Sequence, residues 1–146
     1  MSKIGPIVFG ALFVLGFVPH AQTGQECSLA TRQGDYGFVA SGNLAGVGPS
    51  VAAGRYTADG KGNFAGSFTQ SLNGVIARMT FTGTYTVNPD CTGTETVNIE
   101  GGPTFHNDAV IVDGGREIRA VNTDPGNVVS FHSQKQSSQR RGEKDE

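Results

Sequence analysis

From Val75 to Val87 the side chains alternate between two characters. Ala77, Met79, Phe81, Gly83, Tyr85 and Val87 fall on one face, and Arg78, Thr80, Thr82, Thr84 and Thr86 on the other. A period of two predicts a strand with the first set on a core and the second in water. Comparable inward sets are Tyr36, Phe38 and Ala40; Gly54, Tyr56 and Ala58; and Phe64, Gly66 and Phe68. Between these runs stand Asp59-Gly60-Lys61-Gly62-Asn63 and Asn73-Gly74, whose residues tolerate the positive φ of primed hairpin turns. The pattern predicts eight strands, at about 36–41, 51–58, 64–72, 75–87, 94–100, 105–113, 117–123 and 128–134, with a loop over 42–50. In the sixth strand Ala109, Val110, Ile111 and Val112 are apolar on both faces, which predicts a cover on each, one of them the segment around Leu29. Beyond the first 23 residues no stretch sustains a helical period. Closely spaced strands joined by short turns predict an all-β chain, an eight-stranded antiparallel up-and-down meander closed into a barrel.

The N-terminus has a different character. Lys3 precedes an apolar run from Ile4 to Val18, and Pro19, His20 and Ala21 break it. That is the layout of a secretory signal peptide, and the run is short of the ~20 residues of a spanning helix. The chain therefore divides into a signal peptide (1–23), a barrel domain (24–134) and a polar tail (135–146). The mature part carries no membrane span, and its expected location is secreted or periplasmic. The tail holds almost no apolar residues, so nothing offsets the entropy of ordering it. Export to an oxidising compartment makes the two cysteines, Cys27 and Cys91, a disulfide pair.

Charge and chemistry narrow the partners. The formal net charge is −2 and no basic patch is present, so the composition does not suit a nucleic-acid partner. No motif calls for a cofactor or a metal. Asp59-Gly60-Lys61-Gly62-Asn63 has one carboxylate beside a lysine, where a calcium loop needs several spaced oxygen ligands; it reads as a hairpin turn. His106 and Asp108 share a strand face and, with His132, offer metal or proton chemistry, but read as rim or surface positions. Glu117 and Arg119 share a face opposite Ile118 and Ala120, which claim the core, so the pair reads as a surface ion pair. Ser41, Ser67 and Ser71 lack the Gly-x-Ser-x-Gly context of a hydrolase nucleophile.

Several segments carry a resemblance. Cys27-Ser-Leu-Ala30, Gly34-Asp-Tyr-Gly-Phe38, Asp59-Gly-Lys-Gly-Asn63, the run from Thr82 to Thr94 and Val112-Asp-Gly-Gly115 resemble a group of small secreted bacterial proteins of unknown function, frequent in soil bacteria such as acidobacteria. The resemblance spans nearly the whole mature chain and implies no activity. In architecture the meander is similar to the calycin and allene-oxide-cyclase-like barrels. It lacks the Gly-x-Trp of lipocalins and the tryptophans of avidins, so no ligand residue carries over from either.

Three functions follow from such a barrel. The first is binding of a small apolar molecule in a cavity lined by Phe38, Tyr56, Phe68, Met79, Phe81, Gly83 and Tyr85, with Gly54, Gly66 and Gly83 leaving space between the rings. The second is a structural or interaction role in the envelope or matrix, with a filled barrel and an exposed apolar patch. The third is a cyclase or isomerase using inward Glu117, Arg119 or His106. The signal-peptide layout predicts a mature N-terminus between Gln22 and Gln25. N-terminal sequencing of secreted or periplasmic material checks it, and an intact Met1 in that fraction refutes it.

Overall fold

The computed structural model describes residues 24–137. The segment expected as a signal peptide and the tail beyond residue 137 lie outside the described residues. Eight strands follow one another in antiparallel pairs, and the last pairs with the first: β1 (Gly34–Leu44), β2 (Gly48–Ala58), β3 (Asn63–Leu72), β4 (Val75–Tyr85), β5 (Thr92–Ile99), β6 (Thr104–Val112), β7 (Glu117–Asn122) and β8 (Val128–Lys135). The expected meander and its closure into a barrel are both present. Closure runs from Tyr36 opposite Lys135 to Asn43 opposite Val128. Among the described residues no helix is long and apolar enough to cross a membrane.

The turns follow their local chemistry. The Asp59 carboxylate accepts from the backbone N–H of Lys61 and of Asn63, at 2.7 and 3.0 Å, and from the Asn63 side chain at 2.8 Å. Asn73, at φ 50°, and Gly74, at φ 83°, turn β3 into β4. Other boundaries move. Residues 42–50, expected as a loop, are mostly strand, and only residues 45–47 turn. Gly42 sits where a β-carbon would lie 1.8 Å from the Val128 carbonyl oxygen, so this glycine admits the neighbouring strand rather than marking a turn. Lys135, expected in the tail, extends β8 and donates its N–H to the Arg116 carbonyl.

Two expectations about cover fail. Val110 on the outer face of β6 is exposed, while Ala109 and Ile111 are buried inside. The segment around Leu29 does not lie on β6; it enters the end of the barrel instead. On β4, Ala77 is exposed and Met79 half-buried, because β5 pairs only with residues from Phe81 to Tyr85. The first half of β4 therefore has no neighbour on that side, and its inward face is left partly open.

The N-terminal segment closes the barrel at one end. A short 3-10 helix, Leu29–Arg32, begins after Ser28, whose N–H donates to the Thr31 hydroxyl at 2.9 Å. The Leu29 carbonyl accepts from the Tyr85 hydroxyl at 3.1 Å. Cys27 and Cys91 form a disulfide with Cα atoms 5.0 Å apart, and the Cys27 N–H donates to the Pro89 carbonyl. This bridge ties the plug to the turn between β4 and β5. It spans 64 residues, a loop for which chain entropy gives ~4 kcal/mol of stabilisation. Replacing both cysteines by serine is expected to lower stability by about 2–5 kcal/mol. Chemical denaturation of the double variant measures this, and an unchanged midpoint refutes a structural role for the bridge.

Candidate functional site

The inward side chains are unevenly distributed. β1 to β4 bring Tyr36, Phe38, Tyr56, Phe64, Phe68, Phe81 and Tyr85 inside, whereas β5 to β8 bring two rings, Phe105 and Phe131, among shorter groups such as Glu95, Asn107, Ala120 and Ser133. The rings pack on one another. Tyr36 stacks on its cross-strand partner Tyr56, with centroids 5.1 Å apart and planes within 11°. Phe81 presents an edge to Phe38 at 5.9 Å and to Phe68 at 5.8 Å. Such contacts stabilise beyond simple burial, by roughly 0.5–1.5 kcal/mol each.

A cavity of about 100 Å³, partly open to solvent, remains between the ring wall and the opposite strands. Six phenylalanines line it: Phe38, Phe64, Phe68, Phe81, Phe105 and Phe131. Its origin is in the register. Ala52, Ala40, Phe131 and Ala120 stand side by side across β2, β1, β8 and β7. Three short side chains in one row leave room that larger residues would take. Of the residues expected to line a cavity, Phe38, Tyr56, Phe68 and Phe81 do so; Met79, Gly83 and Tyr85 do not. Met79 lies on the unpaired half of β4, and Tyr85 lies deeper, under the plug. Gly83 is a point of close packing: a β-carbon there would lie 2.2 Å from the Phe64 ring and 2.5 Å from the Thr96 carbonyl oxygen. At Gly54 and Gly66 a β-carbon would meet backbone oxygens at 2.2 and 2.1 Å. These glycines bring strands and rings together; the alanines supply the space.

The deep end of the cavity is polar, a feature that the alternation of the strands shows only in part. Arg32, carried in by the plug, is 1% exposed and lines the cavity. Its Nη2 donates to Glu95 Oε1 at 2.6 Å, and its guanidinium lies over the Tyr85 ring, 4.5 Å from the centroid. Glu95 Oε2 accepts from Asn107 Nδ2 at 3.1 Å, and Asn107 Oδ1 accepts from Asn122 Nδ2 at 3.1 Å. Register accounts for the chain of contacts, because Tyr85, Glu95, Asn107 and Asn122 oppose one another across four adjacent strands. The Tyr56 hydroxyl lies beside Arg32 and Ser133. Arg32 Nε has no hydrogen-bond partner; among the described residues it is the one buried side-chain nitrogen or oxygen in that state. An unpaired buried donor costs about 1–3 kcal/mol, and more when charged. Burial works against the Arg32 charge, but Glu95 and Tyr56 outweigh it and raise the guanidinium pKa above its ordinary value.

The sequence held a signal for part of this floor. In β5, Glu95 shares a face with Val97 and Ile99, and in β6, Asn107 shares one with Ala109 and Ile111, so alternation alone turns both inward. Arg32 gives no such signal, since it precedes the first strand. The other candidate residues lie on the outer wall. Glu117 accepts from Arg119 at 2.5 Å and pairs with His132 at 2.9 Å, which holds its carboxyl below the usual range through the Arg119 hydrogen bond first. His106 pairs with Asp124 at 2.8 Å. Among the described residues no three His, Cys, Asp or Glu side chains gather as a metal site would require. No protein-family model, no curated protein and no solved structure matches this chain.

All three tyrosines of the chain, Tyr36, Tyr56 and Tyr85, have pKa values raised above the ordinary 10, first by burial. Unfolded tyrosines lose their protons near pH 10, while the folded ones keep theirs. The stability this contributes is complete below about pH 10 and is lost as pH rises beyond it. Tyrosinate absorbance should therefore stay low in the native protein at a pH where the urea-unfolded chain is half ionised. Native titration at the ordinary tyrosine pKa would contradict the buried placement.

Proposed function

We propose that this protein is a secreted or periplasmic barrel that binds one small, predominantly apolar molecule in its interior. The cavity lined by six phenylalanines carries the reading. Ligand sites are concave and mostly apolar, with a few polar groups that fix orientation, and the Arg32–Glu95 floor is such a group. The disulfide fits the oxidising compartment that the N-terminal layout leads one to expect. The resemblance to small secreted bacterial proteins points the same way. The cyclase reading draws no support from Glu117, Arg119 and His106, whose side chains face away from the cavity on the outer wall.

An interaction role in the envelope or matrix has one observation in its favour. Val51, Val75 and Ile76 are exposed near the β3–β4 hairpin, and Val51 and Ile76 flank Ser71 on neighbouring strands. The two roles separate in one titration. Benzene should shift the NMR signals of Phe38, Phe81 and Ala120. Ala52→Leu, which occupies the row of short side chains, should weaken that binding by about tenfold or more, a loss of at least ~1.4 kcal/mol. It should leave the melting temperature unchanged or higher, since it fills a void. A parent protein that takes up no ring-sized molecule and self-associates through the hairpin would replace the binding role by the structural one.

A further inference from the structure

We infer that the open end of the barrel docks on an uncharged lipid surface, and that the ligand enters the cavity from that surface. The route of entry rests on reading the cavity as a binding site; the docking is measured separately from it.

The two ends of the barrel differ in chemistry. The plug closes one end, so the cavity reaches solvent at the other, past Leu44, Gln70, Phe105 and Val129. Around this mouth stand Val47, Val51, Val75, Ile76 and Val128, each between 50% and 72% exposed. The turns that carry them form one surface. Asn73 Nδ2 donates to the Val47 carbonyl at 2.5 Å, and the Asn73 N–H donates to the Pro49 carbonyl at 3.0 Å. The Ala45 N–H donates to the Asn127 side chain at 2.9 Å, which ties the first turn to the one before β8. A joined apolar surface of this kind marks a contact with protein or membrane.

Charge favours lipid. Residues 44–51, 72–77 and 123–130 hold one ionisable side chain, Asp124, whose carboxylate accepts from the His106 N–H and from Asn122. In the remaining turn at this end Glu100 accepts from the Thr80 hydroxyl. The turns at the plug end, in contrast, carry Asp59, Lys61, Asp90, Asp113 and Arg116. An end that is apolar and free of Lys and Arg suits an uncharged lipid, since attraction to anionic lipid depends on basic residues. Depth agrees. Val51 lies three residues from the start of β2, and at ~3.3 Å per residue an insertion of ~5–10 Å covers the rim. Arg78, two residues beyond Ile76 on β4, then stands at the headgroups with its charge in water.

A second copy of the chain fits less well. Five side chains fall short of the ~20–30 residues a side of a stable interface, and a mouth-to-mouth pair would seal the cavity. A lipid surface needs no matched shape, and binding to it scales with the apolar area buried. An apolar molecule concentrates in lipid, so docking with the mouth down gives it a path that avoids water.

Flotation of the mature protein with phosphatidylcholine vesicles tests the docking. The protein should bind them within about threefold of its binding to vesicles that also hold phosphatidylglycerol, and about 0.5 M salt should leave the binding in place. Doxyl-labelled lipid should broaden the NMR signals of Val47, Val75 and Val128 and spare Val110 on the outer wall. Val75→Asp and Val128→Asp should each weaken vesicle binding about tenfold or more, whereas Val110→Asp, at a side chain 49% exposed, should not. Neither rim residue lines the cavity, so both rim variants should take up benzene in water as the parent does. Absence of vesicle binding overturns the inference, as does binding that needs anionic lipid and is lost in salt, or broadening confined to the plug end. Self-association abolished by the rim variants, without vesicle binding, assigns the rim to a second copy and overturns it too. Benzene uptake without vesicle binding removes the docking and leaves the binding role standing. Vesicle binding without benzene uptake supports the docking and removes both the binding role and the route of entry.

Discussion

Closure of the sheet on itself constrains everything inside. Once β8 hydrogen-bonds to β1, strand number fixes the interior, and an eight-stranded barrel is just wide enough for side chains to fill. The inward residues must then share one volume. Large rings on β1 to β4 take most of it. Ala40, Ala52 and Ala120 leave the remainder as a cavity, because β1, β2 and β7 present short side chains at one level, with Phe131 of β8 between Ala40 and Ala120. Closure also leaves the first half of β4 beyond the end of β5, so the hairpin at Asn73-Gly74 carries an unpaired edge. Arg78 and Thr80 stand on that stretch, and a charge on an edge discourages pairing with another chain.

The closed end depends on chain outside the sheet. The segment from Cys27 to Gln33 is held by the disulfide, by the hydrogen bond from Tyr85 to the Leu29 carbonyl and by the ion pair of Arg32 with Glu95. An ion pair taken out of water is weak evidence of stabilisation by itself. Removing one partner, however, typically costs ~3–5 kcal/mol, because the other charge is left buried. Here Asn107, itself held by Asn122, donates to the second oxygen of Glu95, and the Tyr85 ring takes one face of the guanidinium. The plug is therefore both a lid and the source of a buried cation in the interior.

The outer wall is built on different terms. Glu117, Arg119 and His132 meet across β7 and β8, and His106 meets Asp124 near the β7–β8 turn. The basic partners of these pairs stay about half exposed or more, so the pairing contributes little to stability. They share no water-excluded space, whereas the Arg32–Glu95 pair does. The same residue types thus have a modest role on one side of the wall and a demanding one on the other.

The approximate strands, their antiparallel order, the turns at Asp59 and Asn73 and the cysteine pair are legible in the chain alone. These follow from period-two alternation, from residues that accept positive φ and from the pairing of two cysteines, all of which act locally or by elimination. It also placed Phe38, Tyr56, Phe68 and Phe81 inside, since alternation assigns faces within a strand. Where the interior is empty follows from contacts between strands and is not legible along the chain. Gly83 reads as open space until β3 brings Phe64 against it, and Ala40, Ala52 and Ala120 read as ordinary core until register aligns them. Only the tertiary structure brought Arg32 to Glu95, 63 residues away, because no period within the chain encodes a contact made by a plug entering the end of a closed barrel.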